Sequence, residues 1–271
     1  MSAVGNYGLV LVAGCIAAVG TGVGTVPLFW LRDVSDSLNV SLWGLAGGLM
    51  ASASVFGLLA EAFKKHSSLW LVGLGFVCGA LLVVGAHSLV ERFGGEAEPE
   101  DIAEADFQTF LNILTVLFVH SFPEGVAIGV SFAELNTGTG VHWFGFTIPV
   151  VALVLTGALA IHNMPEGLAV GIPLRNNEGV SRSYMFGAAT FTSVPQPIAA
   201  VIAFFFVRIA IQFLGFGYGF AAGAMLYLVA DDIIPEGLEE GEDLPGGGRK
   251  PMATGLVVGI VAMIPLLLYT K

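Results

Sequence analysis

The sequence contains very little charge. Only 11% of its 271 residues are Asp, Glu, Lys or Arg, whereas 55% are hydrophobic, and the mean hydropathy is +0.84. A soluble domain carries about 25% charged residues, so a chain this poor in charge cannot cover a water-exposed surface. The composition excludes an ordinary soluble protein and indicates a polytopic membrane protein.

Basic residues and cysteines are scarcer still. There are 10 Lys and Arg against 21 Asp and Glu, so the chain lacks the basic surface that nucleic-acid binding needs. Cys15 and Cys78 lie in apolar stretches and are too few for a disulfide framework. No charged residue precedes Arg32, so the first apolar segment lacks the basic region of a cleaved signal peptide, and we expect it to remain as a helix.

Eight apolar runs have the length of membrane-spanning helices. They are 7–31, 37–60, 67–90, 107–133, 143–174, 183–207, 209–230 with a continuation through Pro235, and 251–269. We therefore predict an all-α membrane protein with eight transmembrane helices in a single domain, 1–271. If both termini lie outside the cell membrane, the inner loops hold six basic residues and the outer segments four, which is the orientation that the positive-inside rule favours.

Two further features concern the loops and the packing of the spans. The segment 94–106, between the third and fourth spans, is acidic and contains no Lys or Arg, which predicts a flexible loop. Glycines are concentrated in the second span and in the seventh, where they predict close contacts between helices. These glycines are Gly44, Gly47, Gly48, Gly215, Gly217, Gly219 and Gly223.

The fourth and fifth spans each contain the pattern His-x-x-Pro-Glu-Gly. The copies are HSFPEGVAIG at 120–129 and HNMPEGLAVG at 162–171, which are identical at six of ten positions. A partial copy, DDIIPEG, follows at 231–237 in the seventh span. A polar motif that recurs within apolar spans is typical of the internal repeats of transporters.

The spacing within the motif suits a metal ion. His and Glu four residues apart share one helix face, so His120 can act with Glu124, and His162 with Glu166. A carboxylate at the centre of the bilayer costs at least a few kcal/mol, and a divalent cation between the two glutamates would offset both this cost and their repulsion. Imidazole with carboxylate suits Zn²⁺, Fe²⁺ or Mn²⁺ better than Mg²⁺ or Ca²⁺.

These motifs resemble those of the ZIP family of divalent-metal transporters, the zinc–iron permeases, in their prokaryotic form. The resemblance covers the eight spans, the paired motif, and the stretch GAMLY at 223–227 followed by IPE at 234–236. It implies an eight-helix bundle of inverted repeats, often a homodimer in the lipid bilayer, that moves metal into the cytoplasm. The metal is then a bound substrate, Zn²⁺ or another divalent ion, and the protein needs no catalytic cofactor.

The resemblance also implies specific ligands. It assigns the primary metal to His120, Glu124, His162 and Glu166, and it adds Met50 of the second span as a soft ligand. Family members with a second metal have further ligands one residue after each His and a carboxylate in the sixth span. Here those positions are Ser121, Asn163 and Gln196, which are neutral and weaker ligands, so we expect one strong site and at most a weak second one.

Carboxylates near the span ends are candidates for drawing cations along the pathway, whereas three other histidines are expected at the membrane interface. The carboxylates are Glu61, Asp231, Asp232 and Glu236, and the histidines are His66, His87 and His142.

Two alternatives to a transporter stay open. An intramembrane zinc hydrolase needs a general base beside a ligand His, where this chain has Ser121 and Asn163. A non-transporting metal sensor would need a signalling domain, and no such domain is recognisable.

Overall fold

The computed structural model describes residues 3–30, 34–65, 67–93, 107–137, 139–176 and 180–268. The predicted acidic loop 94–106 and His66 lie outside these residues. The described chain is almost entirely helical, as its composition predicts, with one short β-hairpin.

The helices follow the eight predicted spans in order. The first span is α1 (Ala3–Gly24), and the second is α2 (Asp36–Ser52), a π-helical segment (Ala53–Leu59) and α3 (Ala60–Lys64). The third to sixth are α4 (Leu69–Phe93), α5 (Phe107–Ser131), α6 (Val150–Asn176), and the pair α7 (Arg182–Thr192) and α8 (Pro195–Ile209). The seventh is α9 (Leu214–Leu228), a second π-helical segment (Val229–Ile233) and α10 (Ile234–Glu239), and the eighth is α11 (Arg249–Leu268).

Six helical segments of the described chain are long and apolar enough to cross a membrane. They are Val4–Phe29, Asp36–Lys64, Leu69–Ser88, Val150–Ile172, Arg182–Ile209 and Ile211–Glu239. The other two, α5 and α11, include residues whose side chains lie outside the described part. The protein is therefore a multi-pass membrane protein, and it has many exposed apolar side chains.

The predicted start of the fifth span at residue 143 is wrong. Val141–Trp143 forms a strand (β1) that pairs antiparallel with Phe146–Ile148 (β2). The turn between them places Phe144 at φ 46° and Gly145 at φ 80°. Branched and aromatic side chains favour strands, and Pro149, which has no N–H to donate, separates the hairpin from α6.

The sixth span is broken, and the turn after it lies slightly later than the break at residue 208 that the predicted spans give. Ser193 and Val194 separate α7 from α8, because Pro195 cannot continue the hydrogen bonding of α7 but is well placed in the first turn of a new helix. The chain leaves α8 at Ala210, with φ −133° and ψ 64°. The glycines at 215–219 are therefore inside α9 and do not form the turn.

Two helix pairs pack through reciprocal glycines, which confirms the packing role predicted for most of them. A side chain at Gly44 or Gly48 of α2 would collide with the backbone of α11, and one at Gly255 or Gly259 of α11 would collide with α2. In the same way, Gly75 and Gly79 of α4 face the α9 backbone, and Gly219 and Gly223 of α9 face that of α4. In both pairs, a later residue of one helix contacts a later residue of the other, so the paired helices run parallel.

The two motif helices pack in a related manner. A Cβ on Gly125 of α5 would meet the carbonyl oxygen of Gln196 in α8, and one on Gly129 would meet that of Ala200. On α6, Gly167 faces the carbonyl oxygen of Thr21 in α1. The glycine that follows each motif Glu thus lets a neighbouring backbone approach.

The bundle contains four such helix pairs, which are α1/α6, α5/α8, α2/α11 and α4/α9. A single exchange of helices converts each pair into another pair of the set. Exchanging α1 with α8 and α6 with α5 converts the α1/α6 pair into the α5/α8 pair. Exchanging α2 with α9 and α11 with α4 converts the α2/α11 pair into the α4/α9 pair and also maps one π-helical segment onto the other. This pattern is the one expected of a bundle built from two internal repeats.

Candidate metal site

Three of the four predicted primary ligands lie together between the motif helices. Glu124 comes from α5, and His162 and Glu166 come from α6. Each offers one ligand atom, and these atoms all lie within 4.8 Å of one another. His162 and Glu166 share a face of α6 because they are one helical turn apart.

Glu124 and His162 are buried and Glu166 is half-buried, and the central contact of the cluster joins the His162 imidazole to the Glu124 carboxylate. His162 Nε2 lies 2.9 Å from Glu124 Oε1, and the two residues are 3% and 2% exposed. On the other side of the ring, His162 Nδ1 lies 3.1 Å from the carbonyl oxygen of Ala46 in α2. A carbonyl can only accept, so Nδ1 donates and Nε2 is the ring atom directed at the cluster. A second hydrogen bond of this kind orients metal-binding histidines.

The residues at the predicted second-metal positions also lie beside Glu124. The amide Nε2 of Gln196 donates to Glu124 Oε2. Asn163 Nδ2 donates to Gln196 Oε1 at 3.1 Å and to the carbonyl oxygen of Ala17 at 2.8 Å. Ser121 Oγ instead donates to the carbonyl oxygen of Thr192 at the end of α7, at 3.1 Å. Two of these three residues are thus connected to the carboxylate by hydrogen bonds.

Met50 is buried on α2, one helical turn after Ala46. Because Ala46 contacts His162, the same face of α2 brings Met50 into the neighbourhood of the cluster. Its position is compatible with the predicted soft ligand, although the described contacts do not join its sulfur to the cluster.

His120 has a different partner from the other motif residues. Its Nε2 lies 2.8 Å from Asp232 Oδ2, in the second π-helical segment, and His120 is not among the three residues whose ligand atoms lie within 4.8 Å of one another. Asp232 occupies the position of the histidine in the third, partial copy of the motif. The first and third copies therefore meet through their leading polar residues.

His87 of α4 completes a second group. Its Nδ1 lies 3.3 Å from Asp231 Oδ2 and its Nε2 lies 3.4 Å from Asp232 Oδ2. These three residues also offer ligand atoms within 4.8 Å of one another, at a more exposed position than the first cluster. The sequence predicts His87 only at the membrane interface. His87 follows Gly79 by eight residues and Asp231 follows Gly223 by eight, so the parallel pairing of α4 with α9 brings them together, and this pairing is visible only in the structure.

Other predicted pathway residues lie apart from both clusters. Glu61 is 3.8 Å from the amines of Lys64 and Lys65, and Lys65 also pairs with Glu134. His142 is on the hairpin, with its Nδ1 3.1 Å from Thr147 Oγ1.

Comparison with known proteins gives consistent matches over most of the chain. The family profile described as ZIP Zinc transporter matches residues 97–266. The zinc transporter GufA of Myxococcus xanthus is 29% identical over 264 residues, covering 94% of this chain and 96% of that protein. The zinc transporter ZupT of Corynebacterium aurimucosum is 30% identical over 272 residues, covering 95% and 94%. A larger protein of Arabidopsis thaliana is 35% identical over 223 residues, but this chain spans only 33% of its length.

Proposed function

The chain belongs to the ZIP family of zinc transporters, and we propose that it carries Zn²⁺ through the membrane by way of the Glu124, His162 and Glu166 cluster. Membership of this family makes the protein a transporter and not an enzyme, so the hydrolase alternative is set aside. The Zn²⁺ ion is the cargo and occupies the site only during transport.

One observation carries the proposal. Two copies of one motif, 42 residues apart in the sequence, place two carboxylates and an imidazole within 4.8 Å in a largely buried position. Intramembrane ionisable groups are expensive, and they mark ion pathways by default. A divalent cation held between them would compensate their charge, and no structural requirement of the bundle explains why both carboxylates face each other.

The ligand types favour Zn²⁺ over the other candidate ions. Zn²⁺ takes imidazole nitrogen and carboxylate oxygen in four-coordinate sites, and it lies above Fe²⁺ and Mn²⁺ in the affinity order of such ligands. Because the ligands must lose protons to bind metal, the apparent affinity should fall in acid. Fe²⁺, Mn²⁺ and Cd²⁺ are the expected competing ions.

We propose that the second group forms the next stage of the path. The pairing of His120 with Asp232 connects the motif helix α5 to the π-helical segment that also carries Asp231. A cation leaving the cluster would meet His120, then Asp232 and His87, whose side chains are all more exposed than those of Glu124 and His162. Movement of the motif helices against α2, α4, α9 and α11 would expose the buried cluster to each side in turn, by alternating access.

The test is Zn²⁺ entry into proteoliposomes loaded with a fluorescent zinc indicator. Glu124→Ala/Glu166→Ala should abolish entry, because it removes both carboxylates of the cluster. The matched control is Glu239→Ala/Glu242→Ala, which removes two exposed carboxylates near the end of the seventh span and should retain entry.

Entry that survives loss of the cluster carboxylates would refute the assigned path. Zinc that binds to the wild-type protein but never enters would refute transport and favour a metal sensor. Flux of Mn²⁺ or Fe²⁺ without Zn²⁺ flux would refute only the assignment of the metal.

Membrane orientation and assembly complete the proposal. We propose that the protein resides in the cell membrane as a homodimer, with both termini outside. A protease added to intact cells should then remove a tag from either terminus, and crosslinking within the bilayer should give a species of twice the chain mass.

A further inference from the structure

Gln196 is fully buried at the first turn of α8, and both ends of its side-chain amide are used inside the protein. Its position follows from the break in the sixth span. Pro195 starts α8 after the non-helical Ser193 and Val194, and Gln196 is the next residue. Its backbone N–H donates to the Ser193 carbonyl at 3.0 Å. The break therefore places one amide side chain at the depth of the Glu124 cluster.

The direction of the hydrogen bonds around Gln196 is determined by chemistry. A carboxylate accepts and an amide nitrogen donates, so Gln196 must turn its Nε2 to Glu124 and its Oε1 to Asn163. Asn163 supplies the matching donor, with its Nδ2 3.1 Å from Gln196 Oε1. Its other hydrogen is held by the Ala17 carbonyl at 2.8 Å, which prevents Asn163 from turning its oxygen toward Gln196. Asn163 thus keeps Gln196 oriented as a donor.

This arrangement gives the two carboxylate oxygens of Glu124 different partners. Oε2 accepts the hydrogen bond from Gln196, whereas Oε1 lies 2.9 Å from His162 Nε2 and faces the cluster. A hydrogen bond to a charged acceptor is among the stronger ones, and inside a buried site it is not exchanged for water. Glu124 is therefore presented to a metal ion through a single oxygen.

We propose that Gln196 is a positioning residue that makes the site selective for Zn²⁺ by holding Glu124 to one metal-binding oxygen. The proposal rests on the transport function argued above. Zn²⁺ is satisfied by four ligands in a tetrahedron, whereas Mn²⁺ favours octahedral oxygen coordination. Larger cations also take bidentate carboxylates. A site in which one of the two carboxylates offers only one oxygen gives a six-coordinate ion one ligand fewer.

The test compares Zn²⁺ with Mn²⁺ uptake in proteoliposomes for wild type and Gln196→Leu. Leucine fills a similar volume but cannot donate, so Oε2 of Glu124 becomes available to the metal. The ratio of Zn²⁺ to Mn²⁺ uptake should fall about three- to tenfold, the effect of one such hydrogen bond. The matched control is Gln212→Leu, an exposed glutamine at the start of the next span, which should leave the ratio unchanged.

If Gln196 contributed only to folding, Gln196→Leu would reduce the uptake of Zn²⁺ and Mn²⁺ in the same proportion. X-ray absorption of bound Zn²⁺ provides a second readout. Gln196→Leu should add an oxygen to the zinc coordination shell, whereas a purely structural substitution would not. An unchanged uptake ratio in a folded Gln196→Leu protein overturns the inference.

A further variant covers the case in which Gln196→Leu does not fold. Asn163→Ala leaves Gln196 in place but removes the donor that orients it, and it should shift the ratio in the same direction. A wild-type ratio in that variant also overturns the inference. Failure of the proposed function is distinguishable, because wild type would then carry neither ion, whereas failure of this inference alone leaves wild-type flux intact.

Discussion

At the scale of single residues, the contrast between the two motif histidines is informative. Both precede a Pro-Glu-Gly sequence by the same spacing, yet His162 pairs with Glu124 and His120 pairs with Asp232. The helical period explains why His162 and Glu166 share a face. It does not determine which neighbouring helix faces His120, because that depends on packing between segments far apart in the sequence.

The role of Asp232 in the proposed path can be tested by substitution. Asp232→Asn keeps the size of the side chain but removes the charge that faces His120 and His87. We expect the rate of Zn²⁺ uptake to fall about tenfold, since carboxylate partners of metal-binding histidines contribute about 10- to 100-fold. Equilibrium Zn²⁺ binding at the buried cluster should change little, as measured by isothermal titration calorimetry.

The control for this substitution is Asp243→Asn, an exposed residue in the loop before α11, which should leave both quantities at wild-type values. A loss of binding equal to the loss of rate would contradict a separate second stage, because it would make Asp232 part of the primary site.

At the scale of helices and hairpins, sequence patterns predicted the spans better than their ends. Apolar residues such as Trp143 and Phe146 extended the predicted fifth span into a hairpin, because hydropathy does not distinguish an apolar strand from an apolar helix. Pro149 and Gly145 were the available signals. The break before Pro195 was missed for the same reason, although proline in a helix interior is costly.

The glycines show which features of helix packing the sequence predicts and which it does not. Small residues spaced along a membrane helix predict close approach of a neighbour, and Gly44, Gly48, Gly219 and Gly223 fulfil that prediction. Their partner helices could not be predicted, because spacing within one helix contains no information about the helix opposite. Spacing within a helix also could not place Gln196 beside Glu124, and only the family resemblance assigned both residues to the metal site.

Helix packing at the motif can be tested with two glycines of α6. A Cβ at Gly167 would collide with the Thr21 carbonyl of α1, whereas one at Gly157 has nothing within 4 Å. Gly167→Ala should therefore destabilise the bundle by about 1–3 kcal/mol through overpacking. Gly157→Ala should have no such effect, since it only raises helix propensity.

Thermal unfolding in detergent measures both variants under the same conditions. We expect a lower Tm for Gly167→Ala and a Tm at or above that of wild type for Gly157→Ala. Equal Tm values for the two variants would show that α1 and α6 are not held in the close contact described here.

At the scale of the whole molecule, the contacts divide the bundle into two groups of helices. The first group, α1, α5, α6 and α8, carries the Glu124 cluster together with Asn163 and Gln196. The second group, α2, α4, α9 and α11, carries Met50, His87 and the two aspartates. The buried cluster contacts the second group through the Ala46 carbonyl, and His120 contacts it through Asp232. Alternating access requires the two groups to move relative to each other.

Disulfide crosslinks can locate this movement in a background where Cys15 and Cys78 are replaced by alanine. Val130→Cys/Gly217→Cys would join the groups, because a Cβ on Gly217 of α9 lies 3.7 Å from the Cβ of Val130 in α5, a separation that suits a disulfide. Thr25→Cys/Gly171→Cys is the matched control within one group, where a Cβ on Gly171 of α6 lies 3.4 Å from the Cβ of Thr25, the residue after α1. Oxidation should stop Zn²⁺ uptake only in the first variant, and a reductant should restore it, because the bond then holds one helix arrangement. Uptake that continues with the first crosslink fully formed would show that α5 does not move against α9 during transport.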